Sequence, residues 1–413
     1  MLYRTMPKNN DQLSILGFGC MRLPQPKGSP GTGKIDEARA AKQIHYAVEQ
    51  GVNYFDTALP YHRGGSEPFL GRVFANGSRN KVKLATKLPP WFVKTSDDME
   101  RVFTKQLRNL QTDRIEYYLL HGLDGHNWPK IKALNVAEFL NTLKRSGRIL
   151  HAGFSFHGDL KAFKEIVDDY DWDFCQIQYN FLDEHNQAGS EGLEYAAAKD
   201  LGVIVMEPLR GGNLAQKPPT QIETLWNEAQ AKRTPVEWAL RWVWNRPEVT
   251  LVLSGMNEEA QIEENIRIAN AAHPNSLQPQ EIQLVERVAA LYRSLMKVGC
   301  TGCCYCMPCP AGVNIPACFE VYNSHHIFKN RQAKMMYLVK MGGMLEGKPG
   351  FASQCTVCGK CATACPQHLP VPELLREVRR ELEGVLTKPL SWGMRQMFGF
   401  YKWNTLRKAR RPL

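Results

Sequence analysis

The stretch "VNYFDTALPYH" (52–62) opens as a short β-branched and aromatic run and breaks into a proline-marked turn. A run of that length and composition reads as a buried strand. Its recurrence decides the fold. "LSILGFG" (13–19), "VKLATKL" (82–88), "IEYYLLH" (115–121), "ILHAGFS" (149–155), "FCQIQYN" (174–180), "GVIVMEPL" (202–209) and "VTLVLSG" (249–255) share its character. Between them lie stretches of helical periodicity, such as "DEARAAKQIHYAVEQ" (36–50) and "TPVEWALRWVWN" (234–245). Eight strands alternating with helices over about 250 residues predict an α/β chain built as a (β/α)8 barrel. A doubly wound sheet is the rival, and it brings a G-x-G-x-x-G turn after its first strand. "GFGCMR" (17–22) offers only G-x-G.

After residue 272 the alternation stops. "QPQEIQLVERVAALYRSLMKV" (278–298) reads as one helix, and it leads into "CTGCCYCMPCP" (300–310). Ten of the 12 cysteines fall between 300 and 365, which marks a separate module. The expected division is a barrel over 1–280, a linker helix and cysteine module over 281–384, and a tail over 385–413. In "CTVCGKCATACP" (355–366), Cys355, Cys358, Cys361 and Cys365 follow C-x2-C-x2-C-x3-C-P. That is the bacterial ferredoxin spacing for a [4Fe–4S] cluster, because closely spaced thiolates let one loop wrap three corners of a cubane. Zinc is the competing reading, but zinc sites favour two separate C-x2-C pairs. The first run offers Cys300, Cys303, Cys306 and Cys309, one residue shorter at its last step. Similarity to two-cluster ferredoxins implies crossed ligation. Cys300, Cys303 and Cys306 would then take Cys365, and Cys355, Cys358 and Cys361 would take Cys309. The segments between and after the runs read as helices, so the module is expected to be mainly α-helical. Cys20, Cys175, Cys304 and Cys318 are expected to be small buried apolar groups.

Apolar (43%) and charged (23%) fractions of the 413 residues are ordinary for a globular protein. "MLYRTMPKNN" (1–10) lacks a basic-then-apolar leader pattern, and no apolar run approaches the roughly 18 residues that span a membrane. The expectation is a cytoplasmic protein, where clustered cysteines are metal ligands rather than disulfides. The formal net charge is +11, yet no acidic residue follows Glu383, and seven basic residues lie beyond it. The body is only mildly basic, which argues against nucleic-acid binding. The tail "FGFYKWNTLRKARRPL" (398–413) interleaves aromatic and basic residues. It fits an acidic redox partner, an anionic membrane surface or a solvated chain end.

Barrel enzymes carry their chemistry at the C-terminal ends of the strands. Reading those ends gives Asp56, Tyr61, Lys87 and His121. Each alone has an ordinary structural explanation; four ionisable groups from three successive strands carry more weight. "FDTALPYH", "LATKLP" and "YLLHGLD", followed in order by "GFSFHG", "CQIQYN", "MEPLRGG" and "SGMNEEAQIEEN", resemble the aldo-keto reductase family. The cysteine module places the chain with the subgroup that ends in a ferredoxin-like 4Fe–4S domain. The resemblance covers about residues 10–272 and implies hydride transfer between a nicotinamide and a carbonyl carbon.

On that resemblance Tyr61 is the general acid, and Lys87 lowers its pKa. Asp56 fixes Lys87, and His121 holds the carbonyl oxygen. It further implies cofactor contacts at Gly19, Met21, Ser155, His157, Gln176, Met206, Pro208, Leu209, Ser254, Gly255, Gln261, Glu264 and Asn265. NADP and NAD both remain open, and so does FMN. Hydride carries two electrons, while a cubane takes up one. Three readings therefore stand. The first is an NAD(P)H-linked carbonyl or alcohol oxidoreductase carrying two [4Fe–4S] clusters. The second is a ferredoxin- or flavin-linked reductase fed by the clusters, with a ferredoxin- or flavodoxin-type partner. In the third, the clusters are structural and the module docks a partner.

Overall fold

The computed structural model describes residues 1–26, 34–75, 77–300, 306–328, 332–343, 348–365 and 369–409. Cys303 and Cys304 lie outside the described residues. The chain divides into two compact units, one of residues 1–212, 233–279 and 408–413, the other of 213–232 and 280–407. The segment 213–232 thus groups with the second unit, although it lies inside the stretch expected to be barrel.

The first unit opens with two short antiparallel strands, β1 (Tyr3–Thr5) and β2 (Gln12–Ser14). Eight parallel strands follow: β3 (Leu16–Gly19), β4 (Tyr54–Asp56), β5 (Lys83–Leu88), β6 (Ile115–Leu123), β7 (Ile149–Phe156), β8 (Phe174–Gln178), β9 (Gly202–Met206) and β10 (Val249–Ser254). They close into a barrel in chain order, with β10 pairing β3. All eight expected strands are present. The opening hairpin was not foreseen, because its strands are too short to show a period.

Alternate residues of a strand point to opposite faces, and the barrel interior follows that rule. Tyr54, Ala85, Tyr117, Leu119, Phe174, Ile204, Leu251 and Leu253 form one buried cluster with Met6 and Leu13. The hairpin therefore stoppers the N-terminal end of the barrel. Met6 packs closely over Gly202, where a Cβ would stand 2.3 Å from the Met6 Cε. Gly153 leaves its place in the interior layer to the Phe174 ring, which a Cβ would meet at 2.6 Å.

The helices between strands are set by local signals. Glu37–Glu49 starts at Asp36, whose carboxylate accepts the Arg39 N–H at 3.2 Å. Pro235–Trp244 starts at Thr234, whose hydroxyl accepts the Glu237 N–H.

The second unit is helical: Thr220–Trp226, Ile315–Phe328, Ala333–Met341, Lys360–Ala364, Val371–Leu382 and Thr387–Ala409, with Pro279–Ser294 leading into it. Its core gathers Val298, Val313, Ile315, Phe319, Tyr337, Phe351, Leu375 and Val378. Two polar devices set the cysteine segments. The buried Asn323 amide exchanges two hydrogen bonds with the Val298 backbone, at 2.9 and 2.7 Å, just ahead of Cys300. Gln354 donates to the Ala311 carbonyl at 3.3 Å, which joins the neighbour of Cys355 to the stretch after Cys309.

Candidate active site

The same two-residue step that fills the barrel core builds the site above it. One step beyond Tyr54 is Asp56, beyond Ala85 is Lys87, and beyond Leu119 is His121. Gly153 is followed by Ser155, Phe174 by Gln176, and Ile204 by Met206. Each apolar interior position is thus succeeded by a chemistry-bearing one on the same face, nearer the C-terminal rim.

Lys87 is the centre of the arrangement. It is fully buried, and its Nζ donates to both Asp56 carboxylate oxygens at 2.6 and 2.7 Å. It also reaches the Thr57 carbonyl at 2.8 Å and the Tyr61 hydroxyl at 3.3 Å. Burial by itself lowers the Lys87 pKa and raises that of Asp56. The bidentate contact decides between them: the Asp56 carboxylate holds Lys87 above the ordinary lysine value. A buried ammonium surrounded by oxygen acceptors has no reason to lose its proton.

Tyr61 is brought in by a tight turn after β4 in which His62 and Arg63 both adopt positive φ (51° and 53°). The His62 Nε2 accepts the Leu23 N–H at 3.0 Å and pins that turn. Burial around its hydroxyl raises the Tyr61 pKa, and Lys87 pulls against that rise without overcoming it. This corrects the expectation of a lowered value: the adjacent ammonium is present, but desolvation is the larger effect. His121 lies edge-on to Tyr61 with ring centroids 5.9 Å apart. Burial, then the Lys87 charge, push its pKa well below 6.5. The imidazole is therefore neutral at pH 7, and its buried Nδ1 has no hydrogen-bond partner among the described residues.

Ser155, Gln176 and Met206 stand on neighbouring strands. Ser155 pairs in register with Gln176, and the Gln176 Nε2 contacts the Met206 sulfur at 3.5 Å. The Gln176 Oε1 is buried and has no hydrogen-bond partner among the described residues. Ser155 Oγ accepts the Gly122 N–H at 2.7 Å. His157 is exposed beside Gln187.

Across the barrel, Gly19 lies against Ser254, whose carbonyl would be 3.3 Å from a Cβ there. Asn265 donates to the Ser254 hydroxyl at 3.0 Å. Met21 and Gly255 are exposed, Pro208 is buried and Leu209 half-buried. Gln261 caps its own helix through the Asn257 and Glu258 N–H groups, and Glu264 accepts from the Thr234 hydroxyl at 2.7 Å.

Four contributors escaped the sequence reading. The Thr57 carbonyl is backbone and leaves no signature. Trp91 brings its ring to 5.0 Å from His121. Glu67 is buried and accepts from Thr86, Gln106 and Asn109 at 2.7–2.9 Å. Gln106 also donates to the Lys87 carbonyl at 2.9 Å, so this network holds the end of β5. An acid in a first helical turn normally reads as a dipole partner at the surface; only packing reveals Glu67 as buried.

In the second unit, Cys300, Cys306, Cys309, Cys355 and Cys365 pack at the edge of the core, and Cys361 is buried within it. Cys358 is exposed. Burial raises the Cys361 thiol, and the thiols of Cys355 and Cys309 raise it further. Cys309 is therefore within electrostatic reach of Cys361. The Val357 N–H donates to the Cys355 sulfur at 3.4 Å. Cys20, Cys175 and Cys318 are buried, as expected of apolar fillers.

Comparison with known proteins agrees with this geometry. Residues 15–289 match the model of the aldo/keto reductase family, and residues 299–369 match that of a 4Fe-4S dicluster domain. An uncharacterized oxidoreductase of Bacillus subtilis is 28% identical over 300 residues, covering 66% of this chain and 92% of that protein. L-galactose dehydrogenase of Arabidopsis thaliana is 23% identical over 71% of this chain and 95% of its own length. Among solved structures, the holo form of an aldo-keto reductase from Bacillus halodurans superposes with a TM-score of 0.58 at 26% identity. That match covers 70% of this chain and 96% of the other.

Proposed function

The chain belongs to the aldo/keto reductase family and carries a 4Fe-4S dicluster domain; on that premise we propose that it reduces a carbonyl, or oxidises the matching alcohol, with NAD(P)H. The observation that carries the reading is Lys87, held between the Asp56 carboxylate and the Tyr61 hydroxyl beside a neutral His121. The nicotinamide, when bound, supplies the hydride. The chain does the rest. Its raised pKa keeps Tyr61 protonated at neutral pH, so the acid form is the one at hand. As the substrate oxygen gathers negative charge, Tyr61 gives it a proton, and Lys87 stabilises the tyrosinate left behind. Neutral His121 has a ring N–H to donate to the same oxygen and no positive charge to compete with Lys87 for it.

The residues present fit the dinucleotide. The unpartnered Gln176 Oε1 is a ready acceptor for a carboxamide N–H, with Ser155 beside it. Met206 would lie against the ring through its sulfur. Gly19, Met21, His157, Pro208, Leu209, Ser254 and Gly255 would line the path from the ring. Gln261, Glu264 and Asn265 would serve the adenine end. In the second unit, Cys300, Cys303, Cys306 and Cys365 would hold one [4Fe–4S] cluster, and Cys355, Cys358, Cys361 and Cys309 the other. When bound, these clusters supply one-electron transfer, suited to a ferredoxin- or flavodoxin-type partner.

The test is carbonyl-dependent NADPH and NADH oxidation by anaerobically purified protein, with Tyr61→Phe beside wild type. Loss of the general acid is expected to lower kcat by about 10²–10⁴-fold. Undiminished turnover in Tyr61→Phe would refute the mechanism.

A further inference from the structure

The C-terminal segment forms a helix, Thr387–Ala409, of about 34 Å. Of the 13 exposed large apolar residues among those described, seven fall between Val385 and Trp403. Isolated exposed apolar groups are normal on a soluble protein, whereas a concentration of them marks a contact surface.

The helix has a covered face and an open one. Thr387, Ser391, Met394 and Phe398 recur at helical spacing, and they are buried or half-buried. On the other side, Trp392, Phe400 and Trp403 share a face and are 66%, 65% and 54% exposed. The Phe400 and Trp403 rings lie 5.8 Å apart. Lys388 and Arg395 are one heptad apart, which places them along the edge of that aromatic face. From Gly384 to the C-terminus there are seven basic residues and no acidic one. No helix among the described residues is long and apolar enough to cross a membrane.

We infer that this helix docks the protein on an anionic phospholipid surface, lying in the plane of the headgroups. Tryptophan and phenylalanine seat at the boundary between headgroups and acyl chains, while lysine and arginine meet lipid phosphates. The charge decides the class of lipid. A helix with no carboxylate to repel the surface and a basic edge beside its aromatic face gains from a negative bilayer what a neutral one does not supply.

The test is flotation of the full, cluster-loaded chain with phosphatidylcholine vesicles and with vesicles containing about one quarter phosphatidylglycerol. At low salt the chain should partition onto the anionic vesicles at least about tenfold more strongly than onto neutral ones. Raising the salt to about 0.5 M should release it. Lys388→Glu/Arg395→Glu should abolish the anionic preference. Trp392→Ala/Phe400→Ala/Trp403→Ala should weaken binding by at least about tenfold. Helix content by circular dichroism and carbonyl reduction in solution, both unchanged, show that each variant is folded. Equal partitioning onto the two vesicle types, no partitioning at low salt, or wild-type binding by the aromatic variant would each overturn the assignment. Retention on a polyglutamate surface without vesicle binding would transfer the helix to an acidic protein partner and overturn it as well.

Discussion

Replacing Lys87 by methionine tests the centre of the site through stability rather than activity. The substitution keeps the volume and removes the charge. It strands the Asp56 carboxylate, 3% exposed, without the Nζ contacts at 2.6 and 2.7 Å that offset its burial. The stranded carboxylate can escape by taking up a proton in the folded state, and that escape caps the penalty. Relative to the ordinary aspartate value of 3.8, protonation costs about 1.4 kcal/mol for every pH unit above it. The loss is therefore about 4 kcal/mol at pH 7 and under about 2 kcal/mol at pH 5.

The sign follows from linkage. In the variant, the folded-state pKa of Asp56 lies above its unfolded value. Its stability is intact below the unfolded pKa and falls as pH rises through the folded one. In wild type Lys87 pulls the Asp56 value back down against burial, so the slope of the same sign is shallower there. Anaerobic thermal melts from pH 5 to pH 8 should show Lys87→Met roughly 10 °C below wild type near neutrality, with the gap closing towards pH 5. Adding Asp56→Asn removes the stranded charge and should recover more than half of the loss, although the double variant remains inactive. A Lys87→Met penalty that is independent of pH, or one that the double variant does not relieve, would refute the buried ion pair.

The neutral state of His121 predicts that kcat/KM shows no acid limb between pH 8 and pH 6 from this group, because its pKa lies well below 6.5; NMR of 15N-labelled histidine would detect an imidazolium there if the reading were wrong. Gly71→Ala should destabilise the barrel by about 1–3 kcal/mol in urea unfolding, since a Cβ would stand 2.3 Å from the Asn109 carbonyl oxygen, which is backbone and cannot swing aside. Cys309→Ser should impair the cluster built on Cys355, Cys358 and Cys361 more than the other, read as iron content and paramagnetic resonance after reduction; selective loss of the first-run cluster would contradict crossed ligation.

Much of the fold was legible because barrel strands buried on both faces leave short, dense apolar runs, and eight of them stand out against helical periodicity. The N-terminal stopper was not legible. Leu13 sits in a strand of three residues and Met6 just past another, and their burial depends on a barrel mouth assembled from distant segments. The four central residues could be read as a set, yet their electrostatics could not. Sequence proximity in motif terms suggested that Lys87 would lower the Tyr61 pKa, and only the degree of burial shows desolvation prevailing. The tail could equally have been a solvated end. Its helix and the division of its residues into a buried seam and an exposed aromatic face appear only in three dimensions.

The sequence by itself determined which residues share a side of each strand, because a pleat repeats every two residues whatever the context. It also determined which thiols a loop can bring to one cluster, because three-residue spacing is a matter of chain reach. Tertiary structure decided what surrounds those groups. Whether Glu67 is solvated or buried, and whether Tyr61 is governed by its neighbouring ammonium or by lost water, depends on atoms contributed by other elements. Whether Cys361 is solvated or buried is decided in the same way. Desolvation and through-space charge act over distances that chain order does not encode.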